Sequence, residues 1–321
     1  MKTPANAPKT LLEAIRYFSD LDVATQHVAA TRWPDGPVCP RCGLVGPKHY
    51  YLKTRRLWKC RSCKKQFSVK LGTIFEDSPL GLDKWLPAMW FIANCKNGIS
   101  SYELARDLGI QQKSAWFMLH RIRLAMQQGS IEKLTGEVEV DETYIGGLAR
   151  NMHKSKRKEK ITGTGTSGKI AVMGLLERHG EVRTKIVPDV KSRTLKVEVR
   201  ENVEPGSEVH TDTFQSYQGL DAEFIHNVVD HAESYVRGHV HTNGLENFWS
   251  LLKRGIKGTY VSVEPYHLFR YLDEQAFRFN EREGEDKDRF AKTLGSVAGR
   301  RLTYDELTGG AESDYGIGDA I

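Results

Sequence analysis

The 321-residue sequence has no long apolar run. Its longest apolar stretches fall well short of the ~18 residues a membrane span needs, so no transmembrane helix is expected. The opening stretch, MKTPANAPKTLLEAIRYFSDLD, lacks a continuous apolar segment followed by a small-residue cleavage site, which gives no sign of secretion and makes a cytoplasmic location the expectation. Cysteine is scarce, with five residues in all, so a small disulfide-stapled scaffold is excluded. Excess charge of one sign is also modest, at +6. What is present is an ordinary mix of 39% apolar and 27% charged residues, on a chain long enough to bury a sizeable core. Single cores rarely grow past about 250–300 residues, so two or three domains are expected.

Lysine and arginine are unevenly spread. They cluster at 53–70, 113–123, 150–160 and 253–257. Patches of this kind suit a polyanion such as DNA, although any single cluster can equally be a solvated face.

The pattern along the chain divides it further. Residues 1–34 read as a helical lead-in, with Leu12, Ile15, Phe18, Leu21 and Val23 at helical spacing before Pro34. Residues 35–72 are short-stranded and basic, and they hold four of the five cysteines. Residues 78–130 read as helices punctuated by Gly98 and Gly109. From 135 to 284 the period changes: 137–147, 169–178, 181–189, 207–214 and 223–229 read as strands, with helices near 191–203, 242–254 and 265–280. The basic, then Gly/Thr-rich insertion ARNMHKSKRKEKITGTGTSG reads as a mobile loop, and 285–321 as a polar tail. The whole predicts an α+β multidomain chain.

Cys39-Pro-Arg-Cys42 and Cys60-Arg-Ser-Cys63 are two C-x2-C knuckles 17 residues apart. This spacing lets two tight turns present four thiolates to one structural Zn²⁺ in a zinc ribbon. Four thiolates leave no open coordination position, so the metal is not expected to be catalytic. Cys95, on an apolar helix, reads as a core residue. Basic residues around the second knuckle, Lys64 and Lys65 among them, point to DNA contact.

The stretch GISSYELARDLGIQQKSAWFMLHRIRLAM has a helix-turn-helix layout, with Ser101 as N-cap, Gly109 in the turn and a second helix from about Gln112. A second helix of this kind would bring Gln111, Gln112, Lys113 and Arg121 to double-stranded DNA. An ordinary helical hairpin is the alternative. Trp116, Leu119 and Ile122 are core residues on either view.

Asp141 is a polar residue interrupting the strand of VEVDETYIGG, which otherwise alternates Val and Glu, and Asp212 in EVHTDTFQSY stands at the end of a β-branched strand; Glu246 lies on the helix NGLENFWSLLKRG. One strand-end aspartate is usually a turn or cap residue. Two on separate strands, facing a third acid on a helix, would repel one another unless divalent cations neutralise them. Two Mg²⁺ ions, or Mn²⁺ in their place, held in this way clamp the attacking and leaving oxygens of phosphoryl transfer. Lys253, two turns after Glu246, shares its helix face and can hold a substrate phosphate.

Together CPRCG, WKCRSCKKQFSVKLGTIFEDS with LDKW, VEVDETYIGG, HTDTFQSY, HTNGLENFWSLLKRGIKGTY and YLDEQAFRFNER resemble the DDE-type insertion-sequence transposases with an N-terminal zinc ribbon, the ISXO-like group. The resemblance runs in order from about residue 20 to 282. It implies a ribonuclease H-like catalytic domain with a mixed sheet, two Mg²⁺ ions, and strand cleavage and transfer at terminal inverted repeats by a homo-oligomer on DNA in a prokaryotic nucleoid. It assigns Asp141, Asp212 and Glu246 as the acids and Lys253 as their basic partner. Some relatives carry Asn as the third residue, which leaves Asn243 as an alternative or additional ligand. Glu246 is preferred because a carboxylate offsets metal charge better than an amide. The histidines His210, His239 and His241 read as packed or hydrogen-bonded residues, and Glu142 is expected on the opposite strand face from Asp141. A DNA-binding regulator or domesticated transposase, or a ribonuclease H-like nuclease without transposition, is the alternative function.

Overall fold

In the computed structural model, residues 7–46, 49–147, 153–161, 163, 165–212, 215–229 and 241–309 are described. The chain forms two compact units, one of residues 1–127 with 284–321 and one of residues 128–283. Among the described residues no helix is long and apolar enough to cross a membrane.

The first unit begins with α1 (Leu11–Phe18) and α2 (Leu21–Arg32). Thr10 caps α1 reciprocally with Glu13, and Asp20 caps α2 by accepting from the amides of Asp22 and Val23. A three-stranded antiparallel sheet follows, β1 (Tyr50–Leu52), β2 (Leu57–Lys59) and β3 (Gln66–Phe67). Its strands are too short to make a core of their own. Trp58 and Phe67 instead pack edge-on against Trp33 at the end of α2. Then come α3 (Leu82–Asn94), α4 (Ser101–Leu108) and α5 (Gln112–Met126). The N-cap of α4 is Ser100, one residue before the expected Ser101, and its hydroxyl accepts from the Glu103 amide. Gly109, at φ +63°, turns the chain toward α5. Leu119 and Ile122 are core residues as expected, while Trp116 is only half-buried.

The second unit is a five-stranded sheet in the order β6-β5-β4-β7-β8, with β4 (Glu137–Ile145), β5 (Ile170–Glu177), β6 (Val182–Val187), β7 (Glu208–Asp212) and β8 (Ile225–Val229). The β4–β5 and β5–β6 pairs are antiparallel, and β4–β7 and β7–β8 are parallel, so the sheet is mixed. The short helix α6 (Lys154–Lys160) lies in the β4–β5 insertion, and α7 (Ser192–Asn202) crosses from β6 to β7. The last elements of this unit are α8 (Asn243–Gly255) and α9 (Leu268–Asn280).

Both faces of the sheet are covered. Val138, Val140, Met173 and Leu175 pack with Leu195 and Val199 of α7, while Val172 and Leu176 pack with Leu245, Phe248, Trp249 and Leu252 of α8 and Leu272 and Phe279 of α9. Burial on two sides explains why the centre of β4 reads as a nearly continuous buried run, and why the polar residues that interrupt it need partners.

The chain then returns to the first unit. The segment beyond 285, expected to be a polar tail, instead forms α10 (Asp286–Gly295) and α11 (Tyr304–Thr308). Phe290 of α10 sits 5.5 Å from Phe18 and 5.1 Å from Trp90, ring centre to ring centre. Its two apolar anchors, Phe290 and Leu294, lie one helical turn apart in an otherwise charged sequence, too sparse a stripe to stand out.

Candidate functional site

In the first unit the four cysteines converge. Cys39 Sγ lies 3.7 Å from Cys63 Sγ, and Cys42 Sγ lies 3.6 Å from Cys60 Sγ. These match the edge of about 3.8 Å expected for four sulfurs ~2.3 Å from one zinc ion. Two equivalent turns build the cluster. The Gly43 amide donates to Cys39 O and the Lys64 amide to Cys60 O, with φ +70° at Gly43 and +59° at Lys64. The next residues close the pattern, Leu44 O accepting from the Cys39 amide and Lys65 O from the Cys60 amide. The donor set and its spacing therefore fit a closed structural zinc site.

Around this cluster Lys64 and Lys65 are exposed, as are Lys53, Arg55, Lys59 and Arg61. Arg56 is spent on Asp22, with Nε 2.6 Å from Oδ1. On the helical hairpin Gln111 and Lys113 are exposed, and Lys113 lies over the Tyr304 ring at 4.6 Å. Gln112 donates to the Ser101 hydroxyl at 2.8 Å.

Arg121 corrects the expectation for this helix. It is 4% exposed, and its guanidinium donates to the carbonyls of Leu302, Ile74 and Glu76. A side chain held this way ties loops together and is unavailable to DNA. The sequence shows only a basic residue on an amphipathic helix, not which face of it is covered.

In the second unit, β4 and β7 bring two aspartates side by side. Their parallel register pairs Glu137 with Glu208 and Glu139 with His210; two residues further along each strand stand Asp141 and Asp212, on the same face. Above that face runs α8, whose first turn carries Asn243, exposed, and Glu246, also exposed. Burial pushes the Asp141 carboxyl up to about 6, and the charges of Asp212 and Glu246 push the same way, against hydrogen bonds from the Glu142 amide and the Trp249 indole. Burial lowers the pKa of Lys253, the charge of Asp141 raises it, and Lys257 and Lys169 lower it, so Lys253 lies within electrostatic reach of Asp141. The charges of Asp212 and Glu246 both reach Asp141, and half-buried Lys253 stands on the same helix as Glu246.

Glu142 faces the other way, as expected from strand alternation, and accepts from Tyr217 of the opposite core. Burial raises its carboxyl to about 7, with Asp141 and Asp212 adding to the rise against that hydrogen bond.

Beneath the acids lies a network that the sequence reading did not single out. Glu139, 1% exposed, accepts from the Leu245 amide at 3.0 Å and so caps the start of α8 from the sheet. Its other oxygen accepts from Arg178 Nε at 3.1 Å and lies 3.4 Å from His241 Nδ1. Arg178 also donates to the His241 carbonyl at 2.8 Å and pairs with Glu137. Gly244 allows this close approach: a Cβ there would stand 2.8 Å from the Glu139 carboxylate and 2.5 Å from Leu176. The signal was present in part, because Glu139 precedes Asp141 by two residues and shares its face. Arg178 had no signal of its own.

Glu137, Glu208 and His210 also cluster, with His210 Nε2 3.6 Å and 3.5 Å from the two carboxylates. Burial holds the imidazole below its usual pKa, and Arg178 adds to that. Their ligand atoms lie within 4.8 Å of one another, a spacing that Asp141, Asp212 and Glu246 do not reach as a group, although Glu137 is paired with Arg178 and Glu208 accepts from the Asn227 side-chain amide at 2.5 Å. His239 lies outside the described residues.

A mixed five-stranded sheet with paired strand aspartates beneath an acid-bearing helix, in a chain that also carries a four-thiolate cluster fit for structural zinc, defines an α+β class of protein. The comparisons make the class particular. Residues 133–280 match the ISXO2-like transposase domain and residues 20–66 the transposase zinc-ribbon domain. A protein of the transposable element ISH50 of Halobacterium salinarum is 28% identical over 271 residues, 80% of this chain and 90% of the relative. A transposase-like protein of Haemophilus influenzae is 38% identical over 115 residues, 36% of this chain and 93% of the relative. The chain belongs to the ISXO2-like transposases.

Proposed function

We propose that this chain is an insertion-sequence transposase that binds the terminal inverted repeats of its element and cuts and rejoins DNA there with Mg²⁺. The observation that supports the proposal is the placement of Asp141 and Asp212 on the β4–β7 face covered by α8, the helix that carries Glu246 and Lys253. The strand order, three antiparallel-linked strands followed by two parallel ones, supports the ribonuclease H-like assignment.

On this proposal Asp141, Asp212 and Glu246 would hold a pair of divalent ions, with Asn243 as the remaining candidate for a further ligand. Bound there, the ions supply Lewis-acid activation at phosphorus and stabilise the attacking and leaving oxygens. Lys253 neutralises a non-bridging phosphate oxygen of the strand being cut. Water is the first nucleophile, freeing a 3′-hydroxyl at the element end; that hydroxyl then attacks a target phosphodiester and displaces a target 3′-oxygen. Recognition falls to the first unit: Gln111, Gln112 and Lys113 at the start of α5 address a groove, and Lys64 and Lys65 of the ribbon track phosphates. The zinc is structural. A homo-oligomer on DNA joins two ends.

The test is a labelled duplex carrying an element end, incubated with the protein and Mg²⁺. Nicking at the 3′ end that stops with chelator is the expected result, reduced at least ~100-fold by Glu246→Gln and less by Asn243→Ala. Loss only with Asn243→Ala would move the third ligand to Asn243. Binding without nicking in either Mg²⁺ or Mn²⁺ would leave a DNA-binding protein.

A further inference from the structure

Asp141 lies directly across from Gly174 in the antiparallel pairing of β4 and β5. A Cβ at Gly174 would stand 2.6 Å from Trp249 Cζ2 and 2.9 Å from Cη2, closer than any real carbon contact. The missing side chain is therefore a slot, and the edge of the Trp249 indole fills it. From that slot Trp249 Nε1 donates to Asp141 Oδ2 at 3.0 Å. The other oxygen, Oδ1, accepts from the Glu142 amide at 2.8 Å. The carboxylate is thus gripped at both oxygens by donors from two different elements, and its plane cannot turn without breaking one bond. Each oxygen keeps a further lone pair for a cation.

Trp249 also sits three residues after Glu246 on α8, within one turn. The indole is 4% exposed and packs edge-on against Phe248, so it does not swing freely. Its hydrogen bond therefore joins the helix that carries one acid to the strand that carries another. Packing alone does not require this: a phenylalanine ring would fill most of the same space without the N–H.

We infer that Trp249, seated over Gly174, is a positioning residue that fixes the Asp141 carboxylate and its spacing to Glu246 for divalent-metal binding. This rests on the metal-site proposal above. Partners that orient a ligand typically contribute ~10–100-fold to metal affinity.

The experiment is a Mn²⁺ titration of the full-length protein, followed by calorimetry, with the melting temperature of each metal-free variant measured alongside. Trp249→Phe is expected to weaken Mn²⁺ binding by ~10-fold or more, and Gly174→Ala, which expels the ring from its slot, to do the same. Leu252→Ala, a buried neighbour on the same helix, is expected to lower the metal-free melting temperature while leaving Mn²⁺ affinity unchanged. Wild-type affinity in Trp249→Phe, or an equal loss in Leu252→Ala, overturns the positioning role. Asp141→Asn separates the two levels: if Mn²⁺ binding survives in that variant, the metal site itself is wrong and the inference falls with it, whereas its loss there beside wild-type binding in Trp249→Phe condemns the inference alone.

Discussion

His27 shows what burial does to a single titratable side chain. It is 8% exposed among Tyr17, Phe18 and Phe290, and burial lowers its pKa from 6.5. The folded protein keeps it neutral, while the unfolded chain takes up a proton below about 6.5, so its contribution to stability is complete above that value and is lost as the pH falls. Lowering the pH from about 7.5 to about 5.5 should therefore depress the wild-type melting temperature more than that of His27→Gln. Equal depression would contradict the assignment. At this same scale the sequence showed chemistry better than surroundings. The positions of Cys39, Cys42, Cys60, Cys63 and Asp212 were legible because knuckle spacing and a strand-end acid are local patterns, whereas Asp141 lies in the middle of β4 and not at its end. Arg121 was not, since the carbonyls that claim it come from residues 74, 76 and 302, far away in the chain.

The helix α8 is the element on which the candidate site turns. Its N-cap, Thr242, makes no side-chain cap, and the buried Glu139 of β4 takes over that task from below. Glu139→Ala leaves the Leu245 amide and the Arg178 guanidinium without this partner in a covered interface, and breaking a buried pair costs about 3–5 kcal/mol. Urea unfolding should show that loss, and Glu139→Gln, which keeps an acceptor for the amide, should lose less. A loss within error of zero would mean that α8 is held by its apolar face alone. Strand and helix positions here were readable from period, within a residue or two at most ends. The contacts between them were not, because the register that sets Asp141 against Gly174 and beside Asp212 follows from long-range pairing.

Across the whole molecule, two units divide the work in the proposed function. The ribbon has strands of two and three residues, too little core to persist without its metal. About one zinc per chain is expected. Cys60→Ser should release it and abolish binding to the element end, while Mn²⁺ binding by the second unit persists. A metal-free preparation with unchanged end binding would remove the structural role assigned to zinc. The family, the ribbon and the mixed sheet were all visible in sequence motifs; the helical role of residues 286–308 in closing the first unit was hidden by their polarity.

The most direct test of the central claim is cleavage of a labelled element end by Asp141→Asn in Mg²⁺. The account predicts that the variant binds the end as the wild type does and makes no detectable nick. Nicking at the wild-type rate would contradict it, because the acid at the meeting point of β4, β7 and α8 would then have no part in the chemistry.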